Sequence, residues 1–256
     1  MKKVYLSILV CSIAYFLACK EDVTELTIDS NLESAIIKHS KTGSLSDYIM
    51  PSSIDYKSLP NQDPNNPVTA EKVALGKLLF FETGLAQDAK KSVSLNTYSC
   101  SSCHVPEKNF TAGRIQGIAD GGVGFGHLGE GRSKNVDYQG SEVDAQGARP
   151  LPTINLTFVR NALWSGAFGA RGMNVGTESA WGIVDSLTSI NAKGFEGLES
   201  NNTRALFVHR QVINKDLMTK LGLKDKFDSA FPDVPESERY VPQMASNAIA
   251  AYFRTV

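Results

Sequence analysis

Apolar residues recur at helical spacing in four stretches of the chain. Leu32, Ala35 and Ile36 share one face between Asn31 and His39, the i, i+3, i+4 pattern of an amphipathic helix. Val73, Ala74, Leu75, Leu78 and Leu79 make a stronger face that runs to Phe81. Thr69 is a suitable N-cap for it, and Glu71 falls where a negative charge meets the positive end of the helix dipole. Residues 203–222, with Leu206, Val212, Ile213 and Leu217, and residues 242–254, with Ala245, Ala248, Ile249 and Tyr252, predict two further helices. Between the first two, Pro51, Pro60, Pro64 and Pro67 break any long helix and predict extended loop. Eight glycines between Gly113 and Gly131 force a second, longer loop. The fold class these elements predict is all-α with long Gly-rich loops.

Composition adds an address. Over 256 residues, 42% hydrophobic content is ordinary for one large or two small globular domains. The formal charge of −1, with no basic block, gives no sign of nucleic-acid binding. Lys2 and Lys3 precede the apolar run Val4 to Ala18, which is short for a bilayer span and fits the apolar region of a secretory signal. Phe16-Leu17-Ala18-Cys19 resembles a bacterial lipobox, with Phe16 where Leu is usual. Residues 1–18 are therefore expected to be a signal peptide of lipoprotein type, with Cys19 lipidated at the membrane; ordinary cleavage nearby is the alternative. The protein would be exported, in the periplasm or at the outer membrane. Cys11 lies in the removed segment and Cys19 takes lipid, so Cys100 and Cys103 are the cysteines left for chemistry. Residues 19–66 are expected to be a tether and N-terminal extension, and residues 67–256 a domain. His39, ending a short polar helix, is expected at the surface.

The chemistry centres on Cys100-Ser101-Ser102-Cys103-His104. If residues 99–104 form a helical turn, thiols three positions apart share a face. Both can then add across the vinyl groups of one haem, with His104 below the porphyrin to bind iron through a neutral nitrogen. This is the pattern of a c-type haem attachment site. A zinc site needs further ligands, and no second Cys pair or His-x₃₋₅-His cluster follows. A thioredoxin-like pair expects a βαβ setting, whereas a Gly-rich loop follows here. A plain disulfide leaves His104 unexplained. The Gly-rich loop is not a nucleotide site either, because it lacks a preceding apolar strand, the G-x-G-x-x-G helix entry and a Gly-Lys-Ser/Thr ending.

Around this motif the chain resembles the first-haem domain of bacterial di-haem cytochrome c peroxidases, the family that includes the MauG-type enzymes. The likeness lies in Leu75-Gly76-Lys77-Leu78-Leu79-Phe80-Phe81, Leu85, Ser99 to His104 and Phe110-Thr111. It resumes at Arg149 to Asn155 and Leu163-Trp164-Ser165-Gly166, and ends at Ala248 to Thr255. It implies a cytochrome c-like haem domain and haem c as the covalent cofactor, with calcium possible near Asn155. His127, in the Gly-rich loop, would cap the iron opposite His104 at rest; the alternative is a solvent-facing loop residue. Trp164 falls where the family has a Trp between its haems, against simple core packing, but Ser165-Gly166-Ala167 replaces the usual Asp-Gly-Arg. The catalytic carboxylate would be Glu196, with Glu199 as substitute, against a solvated loop carboxylate. His209 is expected to pack between helices.

The implied activity is reduction of hydrogen peroxide to water, with electrons from a small donor protein such as a c-type cytochrome. Two other outcomes stand beside it: an electron-transfer cytochrome with both axial positions filled, and a MauG-like enzyme that oxidises another protein. The sequence carries one Cys-x-x-Cys-His, so it is expected to be either a truncated form of a two-haem protein, without the second haem domain, or a mono-haem relative. The chain by itself is expected to be only weakly active.

Overall fold

The computed structural model describes residues 24–113, 117–124, 131–145, 147 and 149–256. The chain divides into two compact units, Met1–Pro51 and Ser52–Val256. In the first, a helix over Thr24–His39 (α1) extends the predicted 31–39 helix towards the N-terminus, and a 3₁₀ turn follows at Leu45–Tyr48. His39 is exposed.

The second unit is helical, with a two-residue antiparallel pair, Gly122–Val123 (β1) and Ser133–Lys134 (β2), as its sheet among the described residues. Its helices are Ala70–Phe81 (α2), Gly197–Val208 (α3), Lys215–Lys220 (α4), Lys224–Ala230 (α5), Glu236–Arg239 (α6) and Pro242–Phe253 (α7), joined by loops rich in short 3₁₀ turns. The architecture is all-α. Thr69 caps α2 as its sequence suggests, its side chain accepting the Lys72 N–H at 3.3 Å. The predicted helix over 203–222 is instead two helices. Between them Val212 donates to the Leu85 carbonyl at 2.8 Å, Gln211 bridges to Ala86, and Arg210 takes a φ of 54°. Asn214 then restarts the helix by accepting the Leu217 N–H.

The core is the packing of α7 against α2 and α3. Leu75, Leu79 and Phe80 of α2 meet Ala245, Ala248, Ile249 and Phe253 of α7, and Phe80 anchors an aromatic cluster with Phe110, Tyr252 and Phe253 at centroid distances of 5.6–5.7 Å. The backbones approach most closely at Gly76, where a Cβ would lie 2.0 Å from the Ala248 carbonyl oxygen. Alanine in a helix normally stabilises relative to glycine. Here Gly76→Ala must push α2 off α7, and we expect it to cost about 3 kcal/mol, the upper range of overpacking. Thermal unfolding should read this as a fall of roughly 10 °C; a gain in melting temperature would contradict the close crossing.

The compact unit begins at Ser52, earlier than the boundary expected at residue 67. Prolines do interrupt helix there, but the segment is ordered by side chains. Gln62 donates to the Leu59 carbonyl at 3.0 Å and accepts from Val68 N at 2.9 Å. Leu59 and Val68 are buried on Ala251, and Asp63 and Asn66 are 0% exposed.

Candidate functional site

Cys100–Ser102 forms a 3₁₀ turn. The Cys100 carbonyl accepts both the Cys103 N–H at 3.2 Å and the His104 N–H at 3.0 Å, and Ser102 Oγ closes the turn by accepting the Ser99 N–H at 3.0 Å. The turn sets His104 against a second tight loop, in which Asn109 and Phe110 both have positive φ and Val105 pairs with Thr111. That loop turns the Phe110 carbonyl onto His104 Nδ1 at 2.9 Å. A carbonyl can only accept, so Nδ1 carries a proton, and in the neutral ring Nε2 then holds the lone pair. Burial pushes the ring below the ordinary histidine range; backbone hydrogen bonds to Phe110 and Leu151 oppose this, and nearby His209 reinforces it. Burial thus favours the neutral form of His104.

Cys100 and Cys103 are both unpaired. Burial pushes the Cys100 thiol up to about 11 and the Cys103 thiol up to about 12, with Asp144 adding to the second shift and Arg132 opposing it. Reactive Cys-x-x-Cys pairs have depressed pKa values, so these two thiols have the opposite character. Gly117 lies directly on Cys103, where a Cβ would be 2.2 Å from Sγ.

Arg132, 1% exposed, holds the ends of the Gly-rich loop in place. Its guanidinium donates to the carbonyls of Ile118 at 2.6 Å, Thr97 at 2.8 Å, Ala119 at 2.7 Å and Gly124 at 3.1 Å. Nothing in the hydrophobic pattern marks this residue. His127 lies outside the described residues, as does Cys19.

Glu196 and Glu199 stand at the start of α3 and are both buried, at 4% and 0% exposure. Glu199 is fully engaged: Arg254 donates to its two oxygens at 2.6 and 3.0 Å, and Asn66 Nδ2 donates to Oε1 at 2.9 Å. Glu196 is not. Its Oε1 is 3.7 Å from Arg171 Nη1, and its Oε2 is buried without a hydrogen-bond partner. Burial holds the Glu196 carboxyl above the usual range, Arg160 and Arg171 oppose this, and Asp63 and Glu199 add to it. Of the two carboxyls, Glu196 is the one with a buried oxygen that makes no hydrogen bond.

The remaining residues are dispersed. Trp164 is 93% exposed, because Ala162 and Phe168 bond to each other across a loop whose turn, at Leu163 and Gly166, has φ of 68° at both positions. Asn155 is exposed with φ 56°, and its N–H donates to the Val256 carbonyl at 2.8 Å. Among the described residues no three His, Cys, Asp or Glu side chains converge on a common point. His209 ends α3 rather than packing between helices, with Nδ1 2.7 Å from Asp144 Oδ2. No hydrogen bond or ion pair among the described residues joins Glu196 to the Cys100–His104 turn. Both border the main apolar core, the turn through Cys100 and Phe110 and Glu196 through the adjacent Leu198.

Unpaired neighbouring thiols followed by a neutral imidazole whose Nδ1 is already engaged form a donor set that fits a covalently held haem, with Nε2 left for iron. The all-α fold and this turn define a haem-protein class. A family model for di-haem cytochrome c peroxidase matches residues 70–256, and the chain belongs to that family. Membership makes it a haem oxidoreductase of the peroxidase or MauG type. No curated protein and no solved structure matches the chain.

Proposed function

We propose that the chain reduces hydrogen peroxide to water with electrons from a small donor protein such as a c-type cytochrome, and that residues 67–256 are a first, peroxidatic haem domain. The observation that carries this reading is the Cys100–His104 turn, where two unpaired thiols precede a neutral imidazole with its Nδ1 committed to the Phe110 carbonyl. In this reading Cys100 and Cys103 would hold the haem through thioethers, and His104 and His127 would ligate its iron. Haem, when bound, supplies the iron at which the peroxide O–O bond is cleaved and through which electrons arrive. Glu196 would take one proton of hydrogen peroxide and return it to the other oxygen, which leaves as water. Its unbonded buried oxygen and upward-shifted carboxyl support that role, since a proton carrier works best with a pKa close to the working pH. The exposed Trp164 ring is the proposed entry point for electrons, and Asn155 a proposed calcium ligand. Export with lipid on Cys19, following removal of residues 1–18, completes the proposal and places the enzyme in the periplasm or at the outer membrane.

The test is peroxide-dependent oxidation of a reduced c-type cytochrome by the haem-loaded chain. Weak turnover is expected, and Glu196→Gln should lower it further, by up to about 10²–10⁴, at unchanged haem content. Absence of peroxide-dependent oxidation in the wild type would overturn the proposed activity; an unimpaired Glu196→Gln variant would remove Glu196 from it.

A further inference from the structure

The family match begins at residue 70, yet two side chains upstream of it hold the first turn of α3. Asp63, 0% exposed, accepts the Glu196 backbone N–H on Oδ2 at 2.6 Å and the Asn65 N–H on Oδ1 at 2.7 Å. Asn66, three residues on and equally buried, donates to Glu199 at 2.9 Å and to the Asn247 carbonyl at 2.9 Å. Positions 63 and 66 thus grip positions 196 and 199 from another part of the chain.

This arrangement replaces an ordinary helix start. Glu196 is the N-cap of α3 and Glu199 its third residue. In a capping box, the acid at that third position reaches back to the N-cap N–H. Here Glu199 is diverted to Arg254 and Asn66, and Asp63 receives the Glu196 N–H in its place. Glu196 makes no side-chain capping bond of its own, so apart from the 3.7 Å approach of Arg171 to Oε1 its carboxyl is left without a hydrogen bond in the interior.

We propose that Asp63 is the positioning residue for Glu196, holding the start of α3 so that the Glu196 carboxyl stays buried, unbonded and able to carry a proton. The proposal rests on the reading of Glu196 as the proton-transfer group. The charges around that carboxyl are Arg160 and Arg171 from the loop before α3, Glu199 from its own helix and Asp63 from the upstream segment. Lys72 of α2 is within electrostatic reach of Glu199 and Asp63, and Arg254 pairs with Glu199. After burial itself, the carboxylates of Asp63 and Glu199 are what favour the protonated form, against the two arginines.

Asp63→Asn keeps an oxygen to accept the Glu196 N–H and deletes the charge. In the haem-loaded chain, the infrared carboxyl band that Glu196→Gln abolishes should titrate with a midpoint at lower pH in Asp63→Asn than in the wild type. Asp63→Ala should in addition speed hydrogen exchange at the Glu196 amide roughly fivefold or more, the effect of losing one hydrogen bond. A folded Asp63→Asn variant with an unmoved midpoint overturns the proposal. If neither variant folds, the wild-type Glu196 amide decides: protection supports the bond to Asp63, and exchange at the rate of an open loop overturns it. A shifted midpoint together with an unimpaired peroxide reaction in Glu196→Gln would uphold the positioning role and refute the proton-transfer role.

Discussion

Arg254→Met should destabilise the Ser52–Val256 unit by about 3–5 kcal/mol, the usual cost of removing one partner from a buried ion pair. The Arg254 and Glu199 side chains are 1% and 0% exposed and are joined at 2.6 Å, so methionine strands a carboxylate where water cannot reach it. The same guanidinium also reaches the Asn61 carbonyl at 3.3 Å, tying the segment before α2 to the end of α7. Domains of this kind are stable by only about 5–15 kcal/mol, so the loss is a large share of the margin. Denaturant unfolding should show a lower midpoint at unchanged slope. Adding Glu199→Gln to Arg254→Met should recover part of the loss, because a neutral amide can still accept from Asn66 and no longer needs a cation. A loss below about 1 kcal/mol in the single variant would mean the pair behaves as a solvated one.

Cys100→Ala with Cys103→Ala should abolish covalent haem. Expressed with a c-type maturation system, the wild type should retain haem through denaturation, while the double variant should release all of it into acidified solvent. The thiols are suited to attachment because they are unpaired, neighbours on one turn, and held protonated by burial, which keeps them from the thiolate chemistry that forms disulfides. Full extraction of haem from the wild type would remove the attachment site.

The helices whose stability comes from an apolar stripe were legible in the sequence. Both α2, with its Thr69 cap, and α7 fall within a residue or so of the expected bounds. The start of α3 was not, because Glu199, Ser200 and Asn202 are buried polar residues, and hydrophobic periodicity cannot mark a face whose burial is satisfied by hydrogen bonds. For the same reason the segment around Asp63 read as extended loop: its order comes from side-chain bonds to residues 133 positions away. The Cys100–His104 motif was readable because its chemistry is local, within one turn. What the sequence could not supply were the partners that tune it, the Phe110 carbonyl on His104 and the Arg132 staple of the Gly-rich loop. These depend on backbone turns with positive φ and on contacts between distant segments. Glu196 and Glu199 are alike in sequence, and the positions of Arg254 and Asn66 separate the fully bonded carboxylate from the one with an unbonded oxygen.

The most direct test of the account is the visible spectrum of the reduced, haem-loaded chain on mixing with hydrogen peroxide. The reduced bands should be lost at a rate proportional to peroxide concentration, and far more slowly in Glu196→Gln. A reduced spectrum that persists in excess peroxide would contradict it, and would identify an electron-transfer cytochrome with both axial positions filled.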